Sequence, residues 1–107
     1  MPIEIWNDSL DTRADLTKVK GLVLVELFAK WCGPCRAMQA VLQNTANTYL
    51  GRLTVIQIDT DLSLVLTESF LVQALPTLVL VKDGVEVSRK IGAMSNLALD
   101  AWIAPYL

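Results

Sequence analysis

The chain has 107 residues, 53% hydrophobic and 19% charged, with a formal net charge of −2 and no histidine. This is the size of one compact domain, expected to span residues 1–107, and the apolar content excludes a disordered chain. A weakly acidic sequence without basic runs also lacks the electrostatic footprint of a nucleic-acid binder.

At the start, MPIEIWNDSL has no basic stretch leading an apolar one, so no secretory leader is expected. No apolar run approaches the ~20 residues that span a bilayer, and the longest, GLVLVELFA, is interrupted by Glu26. A cytoplasmic protein without a membrane segment is expected. In that compartment thiols are kept reduced, and a cysteine pair is more often catalytic or metal-binding than structural.

IEIW (3–6) reads as a short strand, followed by a polar segment in which Asp8 or Ser9 is placed to cap a helix. LVLVELF (22–28) is a near-continuous apolar run, the pattern of a strand covered on both faces. Directly after it comes KWCGPCR (30–36), which contains the chain's only two cysteines, Cys32 and Cys35. Met38, Val41, Leu42, Thr45 and Tyr49 then fall at helical spacing, and Gly51 is placed to end that helix. The cysteines thus lie between a buried strand and the first turn of a helix, where Pro34 is tolerated because a first-turn N–H has no helical partner. LTVIQID (53–59) is a second buried strand, and Asp61 or Ser63 opens a helical segment through about Val72. TLVLVK (77–82), Asp83-Gly84 and VEVSRKI (85–91) read as a hairpin. Gly92 breaks it, and Ser95 caps a last helix with Leu99, Trp102, Ile103 and Tyr106 on its buried stripe and Pro105 at its end. The order βαβαβα-ββα implies an α/β fold with a mixed five-stranded sheet, antiparallel at one edge, with helices on both faces. Ligands of open α/β sheets bind beyond the carboxyl ends of the strands, which is where the cysteine pair falls.

Three chemistries suit such a pair. A structural zinc site takes four ligands, so here it would need a second chain or carboxylates. A structural staple across so short a loop removes little unfolded-state entropy. A redox pair has a mechanism: unpaired N–H groups and the helix dipole favour a thiolate at Cys32, and Cys35, three residues on, reaches back to it. Cys32 attacks a substrate disulfide and Cys35 then resolves the mixed disulfide. On this reading Cys32 is partly exposed and Cys35 buried.

With WCGPC at 31–35, LPT at 75–77, DG at 83–84 and GA at 92–93 in the same order of elements, the sequence resembles the thioredoxin family over essentially its whole length. The resemblance implies a thioredoxin fold and a protein disulfide reductase of redox homeostasis, working through a Cys32–Cys35 dithiol/disulfide without another cofactor or metal. Its implied partners are disulfide-bearing proteins and a flavin reductase that recharges it, and a monomer is expected. It implies a cis Pro76 facing the pair, Leu75 backbone pairing with an extended substrate, and an apolar patch of Trp31, Gly33, Pro34, Leu75, Gly92 and Ala93 around Cys32. The plain alternatives are a core role for Trp31 and ordinary turns for the glycines. A non-catalytic binding module or assembly subunit on the same fold is the competing function, with the apolar 62–72 segment as its docking patch.

Several positions depart from the family pattern. Glu26 and Phe28 stand where aspartate and tryptophan are typical, and Gln57 stands for a lysine. Ala40 replaces a helix-kinking proline, so a straighter helix is expected. Leu71 replaces a glycine, so a different end to the third helix is expected, and Leu62 or Leu64 is expected to be exposed. Glu26 interrupts a strand covered on both faces and shares a face with Leu24 and Phe28. Burial there raises a carboxyl pKa, and Gln57 brings no positive charge to offset it. Glu26 is therefore the candidate general base that takes the proton of Cys35.

Overall fold

The alternation of LVLVELF becomes a two-sided strand. In the structure, a computed structural model describing residues 3–107, β2 (Leu22–Phe28) is buried along its length but for its last residue. Leu22 and Leu24 face one core, Val23, Val25 and Leu27 the other. Strand β1 (Ile3–Trp6) and strand β3 (Leu53–Asp59) run parallel to it, while β4 (Thr77–Lys82) runs antiparallel to β2 and β5 (Val85–Ile91) antiparallel to β4, in the order β1-β3-β2-β4-β5. The mixed five-stranded sheet of the sequence reading is thus present.

Helices cover both faces. Beneath Leu22 and Leu24 lie Met38, between helices α1 (Gly33–Ala37) and α2 (Gln39–Thr48), Leu42 and Ala46 of α2, and Leu99 and Ile103 of α4 (Asn96–Ile103). The opposite face is covered by Leu66 of α3 (Leu64–Ser69), Phe70 and Leu16, the last from a 3-10 segment (Arg13–Lys18). That segment is tight 3-10 rather than α-helix, and Thr12 with Asp15 makes its capping box.

Asp8 therefore does not begin the helix nearest it in sequence. Its two carboxylate oxygens accept the N–H groups of Val65 and Leu66 at 2.8 and 2.9 Å, capping α3 from the loop after β1. Ser63, the residue at the cap position, makes no side-chain cap bond. Ser95 does cap α4, accepting from Ala98 N at 3.2 Å. The Asp83-Gly84 turn has φ of 49° and 85°, as a two-residue hairpin loop requires. A Cβ on Gly84 would stand 2.9 Å from Thr17 Cα, so this position also has no room for a side chain.

Two expectations about helices are corrected. Without a proline at position 40 the active-site helix is still divided, at Met38, whose N–H is shared between the carbonyls of Pro34 and Cys35 at 3.2 Å each. A relaxed ψ of −13° at Met38 and the resulting three-centre bond produce the break. The third helix stops at Ser69, short of Val72, and Leu71 itself takes the left-handed conformation that a glycine would supply, with φ 55°.

Candidate active site

The end of β2 delivers the cysteines. Thr60, just past β3, holds the Phe28 carbonyl through both its N–H (2.9 Å) and its hydroxyl (3.1 Å), tying the two strand ends together. Cys32 N–H then donates to Ala29 O at 3.1 Å, and Cys32 is the N-cap of α1 with Pro34 in the first turn. Its sulfur accepts the Cys35 N–H at 3.2 Å. A backbone donor aimed at sulfur is the interaction that favours a thiolate.

The two cysteines form a disulfide, with Cα atoms 5.2 Å apart. In this oxidised state Cys32 is 5% and Cys35 3% exposed, so the expected difference in exposure is small. The two cysteines pack with Ala29 and are flanked by Phe28 and Leu75. The difference lies instead in what each faces. Cys32 lines an open groove of about 550 Å³, while Cys35 lines a pocket of about 210 Å³ on the other side with Phe28, Lys30 and Gln39.

Of the residues singled out in the sequence, Trp31, Gly33, Pro34 and Leu75 line the groove with Cys32. Gly92 and Ala93 do not. The Leu75–Pro76 bond is cis, and Pro76 is buried, its carbonyl accepting from Gly92 N at 2.9 Å. Trp31 is not a core residue: it is 69% exposed, and its indole donates to Asp61 Oδ2 at 2.8 Å. Asp61 was legible only as a helix opener; its contact arises because the ends of β2 and β3 are neighbours. Thr60, Thr67, Val72, Gln73 and Ala74 complete the groove, and no local pattern marks them.

Glu26 lies inside the sheet, fully buried, paired in register with Gln57 of β3. Gln57 Nε2 donates to Glu26 Oε1 at 2.8 Å, and Glu26 Oε2 has no partner. Desolvation raises its pKa from 4.5 to about 7, against a smaller lowering by the Gln57 hydrogen bond. Gln57 Nε2 also donates to Gln39 Oε1 at 2.9 Å. Gln39 is four residues past Cys35 on the same helical side and shares its pocket, a link that the sequence reading missed. Among the described residues, no three His, Cys, Asp or Glu side chains gather as metal ligands.

A buried cysteine pair capping a helix at the carboxyl end of a central strand, beside an open groove and a cis proline, defines a thiol–disulfide oxidoreductase site. The thioredoxin family model matches residues 7–105. The chain is 38% identical over 89 residues to the thioredoxin of Pseudomonas aeruginosa, covering 83% of this chain and 82% of that protein. It is 45% identical over 84 residues to the thioredoxin of Chlamydia muridarum, covering 78% and 80%. The chain belongs to the thioredoxin family. It is a thiol–disulfide oxidoreductase with protein disulfide reductase activity, taking disulfide substrates and recharged by a reductase. Among the described residues no helix is long and apolar enough to cross a membrane.

Proposed function

We propose that Cys32 is the attacking sulfur, Cys35 the resolving sulfur and Glu26 the acceptor of the Cys35 proton. The Cys32 thiolate attacks one sulfur of a substrate disulfide. A Cys32–substrate S–S bond forms, the substrate S–S bond breaks, and the other substrate sulfur leaves as a thiolate that takes a proton from solvent. Cys35 then gives its proton to Glu26 and attacks Cys32 Sγ. The Cys32–Cys35 bond forms, the mixed disulfide breaks, and the second substrate sulfur leaves as a thiolate that takes a proton from solvent. The substrate gains two electrons and the pair loses two, which the recharging reductase restores.

The observation that carries this reading is the opposite outlook of the two sulfurs. Cys32 opens on the substrate-sized groove, and Cys35 opens on the pocket that holds Gln39, itself hydrogen-bonded through Gln57 to Glu26. A buried carboxyl with its pKa near working pH suits a general base. Trp31, Gly33, Pro34, Leu75, Pro76, Gly92 and Ala93 are read as substrate-binding, the first four lining the groove. On the family resemblance, the recharging enzyme is read as a flavin reductase. The protein is read as a cytoplasmic monomer whose residues 1–107 form one domain and whose only redox group is its own disulfide.

Insulin reduction tests the assignment. Cys32→Ser is expected to abolish it, and activity surviving that change refutes the redox role of Cys32. Glu26→Gln is expected to form the mixed disulfide at the parent rate but to resolve it more slowly between pH 6 and 9. Equal resolution would remove Glu26 from the mechanism and leave the two sulfurs in place.

A further inference from the structure

The groove beside Cys32 does not end at the redox pair. Thr67, Val72 and Gln73, which line it, also line a second hollow of about 590 Å³ whose remaining walls are Leu64, Glu68 and Leu71. The two hollows adjoin through these three shared residues. Leu64 and Leu71 are 69% and 77% exposed, so neither contributes to a core. Leu71 also has φ 55° just past the helix cap, with its N–H donating to Glu68 O at 3.0 Å. Glycine meets every backbone need of that position without the steric penalty a leucine pays. A leucine that is both strained and left in water is explained by neither helix termination nor packing. Such outliers point to function.

We propose that Leu64 and Leu71 extend the substrate groove and seat an apolar side chain of the substrate polypeptide close in sequence to the cysteine that Cys32 attacks. The inference rests on the reading of Cys32 as the attacking sulfur and adds the class of substrate it prefers. Continuity with the redox groove decides the occupant. Cys32 is almost covered, so a substrate sulfur that reaches it must lay its own neighbouring backbone along the depression. An extended chain advances ~3.3 Å per residue, so positions two and three from the attacked cysteine lie ~7–10 Å along it. Charge agrees with an apolar guest: among the described residues, Glu68 is the only charged side chain lining either hollow. An acidic flank is disfavoured there.

Two peptide disulfides test this, identical except for leucine or serine at the second and third positions on both sides of the cysteine. The readout is the second-order rate constant for oxidation of the reduced protein by each. The parent is expected to favour the leucine peptide by about tenfold, the scale of one apolar group in a pocket. That ratio is expected to fall to within about twofold in both Leu71→Gly and Leu64→Ser. Leu71→Gly is expected to relieve the strained backbone, and its unfolding midpoint, measured alongside, separates a lost preference from misfolding. Leu50→Ser, an exposed leucine before β3 at the opposite end of the sheet, is expected to keep the parent ratio. An indifferent parent, or a preference that survives both changes, overturns the proposal while leaving the reductase reading intact. Failure of the parent to reduce either peptide or cystine removes both readings together. Parent dimerisation abolished by Leu71→Gly, without peptide preference, would assign the face to a second copy and overturn the proposal.

Discussion

Glu26→Gln is expected to change how stability depends on pH. The acid is fully buried, one of its oxygens has no partner, and its pKa is raised from 4.5 to about 7. Below pH 4.5 the carboxyl is protonated in folded and unfolded chains alike. As pH rises, the unfolded chain releases the proton first, so the folded state loses relative stability through the window from about 4.5 to 7. At about 1.36 kcal/mol per unit, the loss is about 3 kcal/mol once pH exceeds the folded value. The glutamine variant keeps the Gln57 hydrogen bond and cannot ionise. Its buried amide nitrogen replaces the unpartnered oxygen at a pH-independent cost of about 1–3 kcal/mol. The test is urea unfolding of both oxidised proteins from pH 4 to 8, compared through the midpoint with an unchanged slope. All other titrating groups cancel in the difference, which should move by about 3 kcal/mol in favour of the variant. Parallel curves would mean that Glu26 ionises as freely as an exposed acid. The burial argument, and with it the proton-acceptor role, would then fail.

Cys35→Ser should accumulate mixed disulfides between Cys32 and substrate, visible on non-reducing gels, because the step that releases product is gone. Limiting iodoacetamide should label Cys32 of the reduced protein before Cys35, since only Cys32 opens on the groove; equal labelling by mass spectrometry would contradict the two roles. Asp8→Ala removes acceptors from two first-turn N–H groups of α3 and should lower unfolding stability by about 1–2 kcal/mol. Leu71→Gly should raise stability by about 1 kcal/mol, by relief of left-handed backbone strain; a loss in thermal or urea unfolding would show that the side chain packs.

Features set by neighbours in sequence were legible. The two-sided burial of β2, the Asp83-Gly84 hairpin, the Ser95 cap and the burial of Glu26 each follow from a few adjacent residues. What escaped depends on residues far apart in the chain. Asp8 reaches 57 and 58 positions to cap α3, and Trp31 reaches 30 positions to Asp61. The break at Met38 has a different origin. Proline is one cause of a divided helix, and its absence says nothing about a carbonyl pair competing for one N–H. Gln39 was invisible for a third reason. A polar residue on a helix surface is unremarkable until Gln57 is found against it, and Gln57 matters only because register pairs it with Glu26.

The two residues that most offend local rules lie on opposite sides of the redox pair. Glu26 is a buried acid without a cation, linked through Gln57 to Gln39 at the start of the helix that follows the cysteines. Leu71 is an exposed leucine in a backbone state suited to glycine, on the shelf that continues the groove. Together they cost about 4 kcal/mol at neutral pH, a large share of the ~5–15 kcal/mol that holds such a domain folded. With no partner in common and different faces of the sheet between them, the two penalties should be independent. Packing explains neither. Each becomes intelligible if disulfide exchange proceeds as proposed: the carboxylate must be basic enough to take a proton near pH 7 and still be populated there, and the leucine must stay uncovered until a substrate covers it. On these two proposals, strain that the fold does not need falls where the chemistry and its recognition take place.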